Sequence, residues 1–473
     1  MPWRETTEPV RMERVAVVAP RELLREVLVR LADAGTVELD APLTEHEATV
    51  PAARRLEALA TGDAARAALS PRLADPEIDL ETLAARGRAD LLAGEASLQR
   101  HRDGAATHGD LTALPGWAVA AELSALRERL APVGGGLVRL PRPRGIDPPT
   151  LLPARGEVRA SLTPLVDTYG TVPYSDLDPT VVASLAYVLM FGMMFGDTGH
   201  GLLLVVAGLA LRAGRPRRYP KVHRAWPFVL GAGVAASVFG VLYGEFFGPT
   251  GVLSPVWLAP LEQPVQLLVA GIGVGAALLA GAYTLGTVNR WREGGWPLAV
   301  YAPSGIAGIG LFVGLGAIAL GIYSGLGWVL LAGIGVWLVG LGLAFLGLLA
   351  GSEGGATGVL QAVVELLDTV IRVGSNVLSF ARLAAFGLTH AALADLVWRA
   401  TTALTDGGPL GWLGAALVFL MGNALAFSLE ALVAAVQALR LEYYELFSRV
   451  FQSDGRPFRP WHIPTEYQTE SLT

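Results

Sequence analysis

Charged and polar residues punctuate the chain as far as about residue 175, and from about residue 180 apolar residues run almost unbroken. Runs of roughly 20 apolar residues match the ~30 Å hydrocarbon thickness of a bilayer. They predict spans near 180–196, 199–212, 226–247, 264–288, 298–322, 327–350, 358–403 and 411–450. The first two are short and are separated by FGDTGHG, which reads as a tight turn. The predicted fold is therefore mainly α. An eight-span helical membrane domain over 176–460 follows a small α+β domain over 1–175, and residues 461–473 form a tail.

The N-terminal part has its own pattern. Val15 to Val18 reads as a strand, Glu22 to Ala34 as a helix ending at Gly35, and Thr36 to Leu39 as a second strand. Residues 51–103 are rich in Ala, Leu, Arg and Glu and predict one or two helices able to pair, interrupted at Pro71 and Pro76. Residues 112–175 predict short strands, a helix near 120–131 and an extended linker.

Composition sharpens this division. The 473 residues are 52% hydrophobic and only 16% charged, below the quarter or so usual for soluble domains. There is no cysteine, which excludes disulfides and thiolate metal sites. A net charge of −6 gives no sign of nucleic-acid binding. Lys221 is the only lysine, and arginine supplies the remaining basic charge. Arg4, Arg11, Arg14, Arg21 and Arg25 occupy the first 30 residues, with no apolar core of signal-peptide length, so the N-terminal domain is expected in the cytoplasm.

Basic residues also orient the spans. Arg212, Arg215, Arg217, Arg218, Lys221 and Arg224 cluster between the second and third, Arg290 and Arg292 between the fourth and fifth, and Arg449, Arg456 and Arg459 after the last. The loops 248–263 and 404–410 have no Lys or Arg. Eight spans of a cell-membrane protein with both termini cytoplasmic satisfy every loop.

The last two segments are too long for simple spans. As one helix, 358–403 would measure roughly 69 Å at 1.5 Å per residue, so it must tilt, bend or leave the bilayer. Gly374 and Gly387 offer bends. Polar residues recur along both segments. Asp368, Ser375, Arg382 and Thr389 stand seven apart, with His390 beside them and Asn376 to one side. Asn423, Glu430 and Gln437 repeat that spacing, with Arg440 one turn beyond.

Charges at membrane depth cost a few kcal/mol or more and normally face protein or a water-filled cavity. Arg382 lies mid-segment and cannot readily lose its proton. A fixed positive charge favours the ionised form of any carboxylate brought to it. A carboxylate carried past on a moving partner would thus release its proton there, with Asp368, Glu430 and their polar neighbours lining water paths. The plainer alternative is an arginine paired for packing, Glu430 with Arg440 being one such pair.

SNVLSFARLAAFGLTHAAL (375–393) closely resembles the signature helix of subunit a of the eukaryotic V-ATPase, called subunit I in archaeal and bacterial V/A-type ATPases. FGMMFGDTGHG (191–201), YGEFFG (243–248) and the segment over 429–460 resemble further motifs of that family, and GWAVAAEL (116–123) and YGTVPYSDLDPT (169–180) resemble pieces just before its membrane domain. The resemblance implies a stator subunit that carries protons past a rotating proteolipid ring, with two long tilted helices wrapping that ring. Arg382 falls on the family's essential arginine and Arg440 on its partner, while Glu430, Gln437, His390 and Ser375 fall on half-channel positions. Asp368 stands where eukaryotic members carry glutamate, and Asn376 replaces a histidine of some relatives. The implied partners are the ring, peripheral stalks, central-stalk and ATPase head subunits, and membrane lipid. The soluble arm is shorter than is usual in the family.

No Walker A phosphate loop occurs, so no nucleotide site and no cofactor are expected in this chain. Asp197 and His200 are too few for a metal site. Together with Glu245 they are candidates for a channel mouth, although FGDTGHG reads first as a structural turn. Two other functions fit parts of the pattern: a stand-alone secondary transporter, which should show two related halves, and a structural anchor without conduction.

Overall fold

A computed structural model describes residues 8–40, 50–59, 69–74, 79–143, 145–153, 157–215, 220–352, 354–450 and 455–466. Pro76, Arg4, Arg217, Arg218 and the last residues of the tail lie outside them. The chain divides into two compact units, one made of 9–152 with 455–473 and the other of 153–454 with the first eight residues.

The first unit is built on a five-stranded antiparallel sheet. Strand β1 (Met12–Pro20) is followed by helix α1 (Leu24–Ala34) and β2 (Val37–Leu39). Helices α2 (Pro51–Leu59), α3 (Leu80–Ala85) and α4 (Ala89–Asp103) come next, then β3 (Ala106–His108), β4 (Leu111–Val119), α5 (Leu123–Leu130) and β5 (Gly136–Arg139). The two early strands do not pair with each other. Both pair antiparallel with β4, Val15 opposite Gly116 and Val37 opposite Ala118, so β4 sits between them. Gly35 ends α1 at φ 59°, the left-handed conformation that glycine adopts without penalty. Val15, Val17, Leu28, Leu31 and Leu114 form the core, and Ile463 from the far end of the chain belongs to it. The Ile463 amide donates to Ala32 O at 3.1 Å and the Trp461 amide to Val37 O at 2.8 Å. Arg456 pairs with Glu38, and Arg88 with Glu466. Residues 455–466 thus fold as part of the N-terminal unit.

The second unit is helical. It begins with α6 (Glu157–Tyr169), within the stretch expected to be linker. Two short apolar helices follow, α7 (Thr180–Met194) and α8 (Thr198–Arg212), then α9 (Trp226–Tyr243), α10 (Pro264–Tyr301), α11 (Ile306–Ser324) and α12 (Gly327–Gly351). Next come α13 (Gly355–Ser379), α14 (Ala381–Thr402) and α15 (Gly408–Leu441), then a π-helical segment at Glu442–Phe447 and a last turn, α16 (Ser448–Val450). Among the described residues, five apolar helical stretches are long enough to cross a membrane: Val222–Tyr243, Pro264–Tyr301, Ile306–Ser324, Gly327–Gly351 and Gly355–Val450.

Two boundaries differ from the sequence expectation. Helix α10 continues to Tyr301 through a kink at Gly294 and Gly295, so the next span starts at Ile306 rather than near 298. The long 358–403 segment is interrupted at Phe380, at neither Gly374 nor Gly387. There the amides of Phe380 and Leu383 bond three residues back, to Val377 O and Phe380 O. The buried Phe380 ring packs on Gly275 of α10, where a β-carbon would lie 2.0 Å from it.

Candidate functional site

Helices α14 and α15 pack against each other and bring the predicted polar residues together in two clusters. Arg382 occupies the first turn of α14, within electrostatic reach of Arg440, in the last turn of α15, and of Glu445. Glu445 was not anticipated from the sequence. It lies in the π-helical segment, whose wider turn rotates side chains away from the seven-residue stripe. With its side-chain oxygen toward Arg449 (2.9 Å), Asn376 donates to Glu445 Oε2 at 2.8 Å. Ser379 also approaches Glu445. One carboxylate is therefore surrounded by Arg382, Arg440 and Arg449.

The second cluster lies further along α14. His390 is 2% exposed, and its Nδ1 is paired with Glu430 of α15. The Glu430–Arg440 pairing considered from the sequence is thus replaced by a pair with His390. Asp197 caps α8, its Oδ1 accepting from the His200 amide at 2.8 Å. The same carboxylate accepts from the Phe247 amide at 3.1 Å and the Gly248 amide at 2.7 Å. One side chain therefore fastens FGDTGHG to YGEFFG. It also holds Phe247 at φ 51°, an uncommon conformation for a residue with a β-carbon. His200 lies 3.7 Å from Asp197, stacks against Phe195 and meets Phe247 and His390 edge-on. Asn423 approaches the His200 ring. Glu245, 5% exposed, is within electrostatic reach of His390, Asp197 and Glu430. His390 follows Arg382 by eight residues, or about 12 Å along a helix.

The rest of the stripe is not joined to these clusters. Asp368 is exposed and pairs with Arg372 one turn away, not with Arg382. Ser375 is exposed, and its carbonyl accepts from the Ser379 hydroxyl at 3.0 Å. Thr389 bonds to Ala385 O of its own helix. Gln437 Oε1 is buried without a hydrogen-bond partner among the described residues. Around these groups α13 and α15 expose rows of large apolar side chains, among them Leu360, Val364, Ile371, Leu417, Leu432 and Val436.

Among known proteins, the V-type ATPase 116kDa subunit family matches residues 137–247. The A-type ATP synthase subunit I of Pyrococcus horikoshii is 28% identical over 313 residues, covering 64% of this chain and 46% of that protein. Its counterpart in Halobacterium salinarum is 29% identical over 387 residues, covering 68% and 52%. A V-type ATP synthase subunit I 2 of Treponema pallidum is 43% identical over 109 residues, 23% of each chain. The chain spans about half the length of the archaeal relatives it matches.

Proposed function

We infer that this chain, a member of the V-type ATPase 116 kDa subunit family, is the membrane stator subunit of a rotary ATPase and forms two offset proton half-channels against a turning proteolipid ring. It has eight spans and cytoplasmic termini, binds no nucleotide, and links the membrane sector to peripheral stalks. Arg382 meets the ring carboxylate, with Arg440 and Arg449 beside it. Glu445 and Asn376 hold these cations in place. His390, Glu430, Glu245, Asp197 and His200 line one half-channel. Asp368, Ser375 and Gln437 belong to the other.

The observation that carries this reading is the separation of the two clusters along one helix–helix seam. A proton released at His390 and Glu430 has no titratable chain of described residues to Arg382. The gap suits a carrier that moves, and a fixed guanidinium favours ionisation of such a carrier. The apolar rows on α13 and α15 suit a helical partner and lipid, with Arg440 standing among them. In complexes reconstituted into vesicles, Arg382→Ala should cut ATP-driven proton transport by more than tenfold while the complex still assembles. Unchanged transport would refute the assignment.

A further inference from the structure

We propose that Asp197, His200 and His390 bind one divalent transition-metal ion of the zinc type inside the membrane unit. Sequence alone offered only the first two ligands. The fold supplies the third: one donor atom from each residue lies within 4.8 Å of the other two, and all three residues are buried. No other described group of three His, Asp or Glu meets that condition.

Independent observations point to a ligand here. Among the described residues neither ring nitrogen of His200 has a hydrogen-bond partner of full geometry, although the side chain is 1% exposed and Asn423 lies beside it. His390 Nε2 is also buried and without a partner. Buried polar atoms normally find one, so three orphaned imidazole nitrogens around one carboxylate are an unfilled donor set. The orientation fits as well. Glu430 engages His390 Nδ1, which leaves Nε2 as the free donor; a carboxylate behind a histidine ligand fixes its tautomer and raises its basicity. Asp197 is held by three backbone amides, two on Oδ1 and one on Oδ2, and keeps one acceptor site of Oδ2 free. Water would complete the shell.

Two imidazoles with one carboxylate suit zinc and its neighbours rather than calcium or magnesium, which prefer all-oxygen shells. Zinc bonds of about 2.0–2.2 Å require the donors to draw closer on binding than they stand in the metal-free chain. A bound ion would occupy His390 and Asp197 together. On the conduction reading above it would block that half-channel, but binding itself does not rest on that reading.

The test is zinc titration of the full-length chain in detergent micelles, purified without a polyhistidine tag and read by metal analysis after dialysis. One zinc per chain is expected. His200→Gln and His390→Gln should each weaken it at least tenfold, and Glu430→Gln by about 10–100-fold through His390. Arg382→Ala should leave it unchanged, so that loss of transport in that variant and loss of zinc are separate results. Melting temperatures without metal identify any variant that fails to fold, and His200→Asn then serves as the second probe. Cobalt added in place of zinc should give visible bands that vanish in the same variants. Substoichiometric zinc in the unaltered chain, or zinc retained in both histidine variants, would overturn the site.

Discussion

His390 and Glu430 are forty residues apart in sequence and joined by a side-chain hydrogen bond between α14 and α15. The pair is almost enclosed, His390 among Phe195, His200 and the helix backbone.

Glu430→Gln keeps the shape of the pair and removes its titratable carboxyl. It should lower ATP-driven proton transport at least tenfold with little change in assembly, measured by quenching of a pH-sensitive dye in vesicles. Transport at the unaltered rate would mean that protons pass elsewhere.

Gly275→Ala should destabilise the membrane unit, because a β-carbon there meets the Phe380 ring at 2.0 Å. Overpacking of this kind costs about 1–3 kcal/mol. Phe380→Leu in the same chain should recover part of the loss, a non-additivity expected of residues in contact. Thermal unfolding in detergent of the two single variants and the double variant measures it. Additive effects would contradict the contact.

Ile463→Ala should destabilise the N-terminal unit by about 2–4 kcal/mol, the usual range for truncating a buried aliphatic side chain. The residue is 5% exposed and lies in the core beside β2 and α1. Faster amide exchange in 24–39, with 264–301 unchanged, is the expected signature.

The same unit should weaken in acid. Burial, aided by Arg100, lowers the pKa of His101 from 6.5 to about 4. Between those values the unfolded chain binds the proton and the folded chain does not. Stability from this group is therefore full above about pH 6.5 and is lost as pH falls toward 4. The ring packs edge-on against Trp461, with centroids 4.6 Å apart, so protonation should loosen the C-terminal segment. Proteolysis of 455–466 should accelerate at pH 4.5 relative to pH 7, and His101→Gln should flatten that dependence.

The legibility of these features in the sequence varied with the physics behind each. Gly35 marked a helix end because its left-handed conformation is local. The apolar runs marked the long helices because length and hydropathy suffice for that. Arg382, Arg440, Glu430 and His390 stood out as polar groups in apolar surroundings. Their partners did not, since pairing across α14 and α15 depends on how the two helices are rotated. Glu445 was hidden by the π turn, which departs from the 3.6-residue period. Asp368 falls on the seven-residue stripe, yet Arg372, four residues on, offers the nearer partner at ordinary helical spacing. The interruption at Phe380 carries neither Gly nor Pro and follows from packing on Gly275.

The closing of the sheet domain by Ile463 and Trp461 also sets an order of biosynthesis. The first 152 residues leave the ribosome early, yet their core lacks a member until the last membrane helix has been made. Domains whose residues are contiguous finish folding during synthesis; this one stays open until residue 463 has been made. A chain stopped before that point would keep an exposed apolar notch in its sheet domain where Ile463 would otherwise sit.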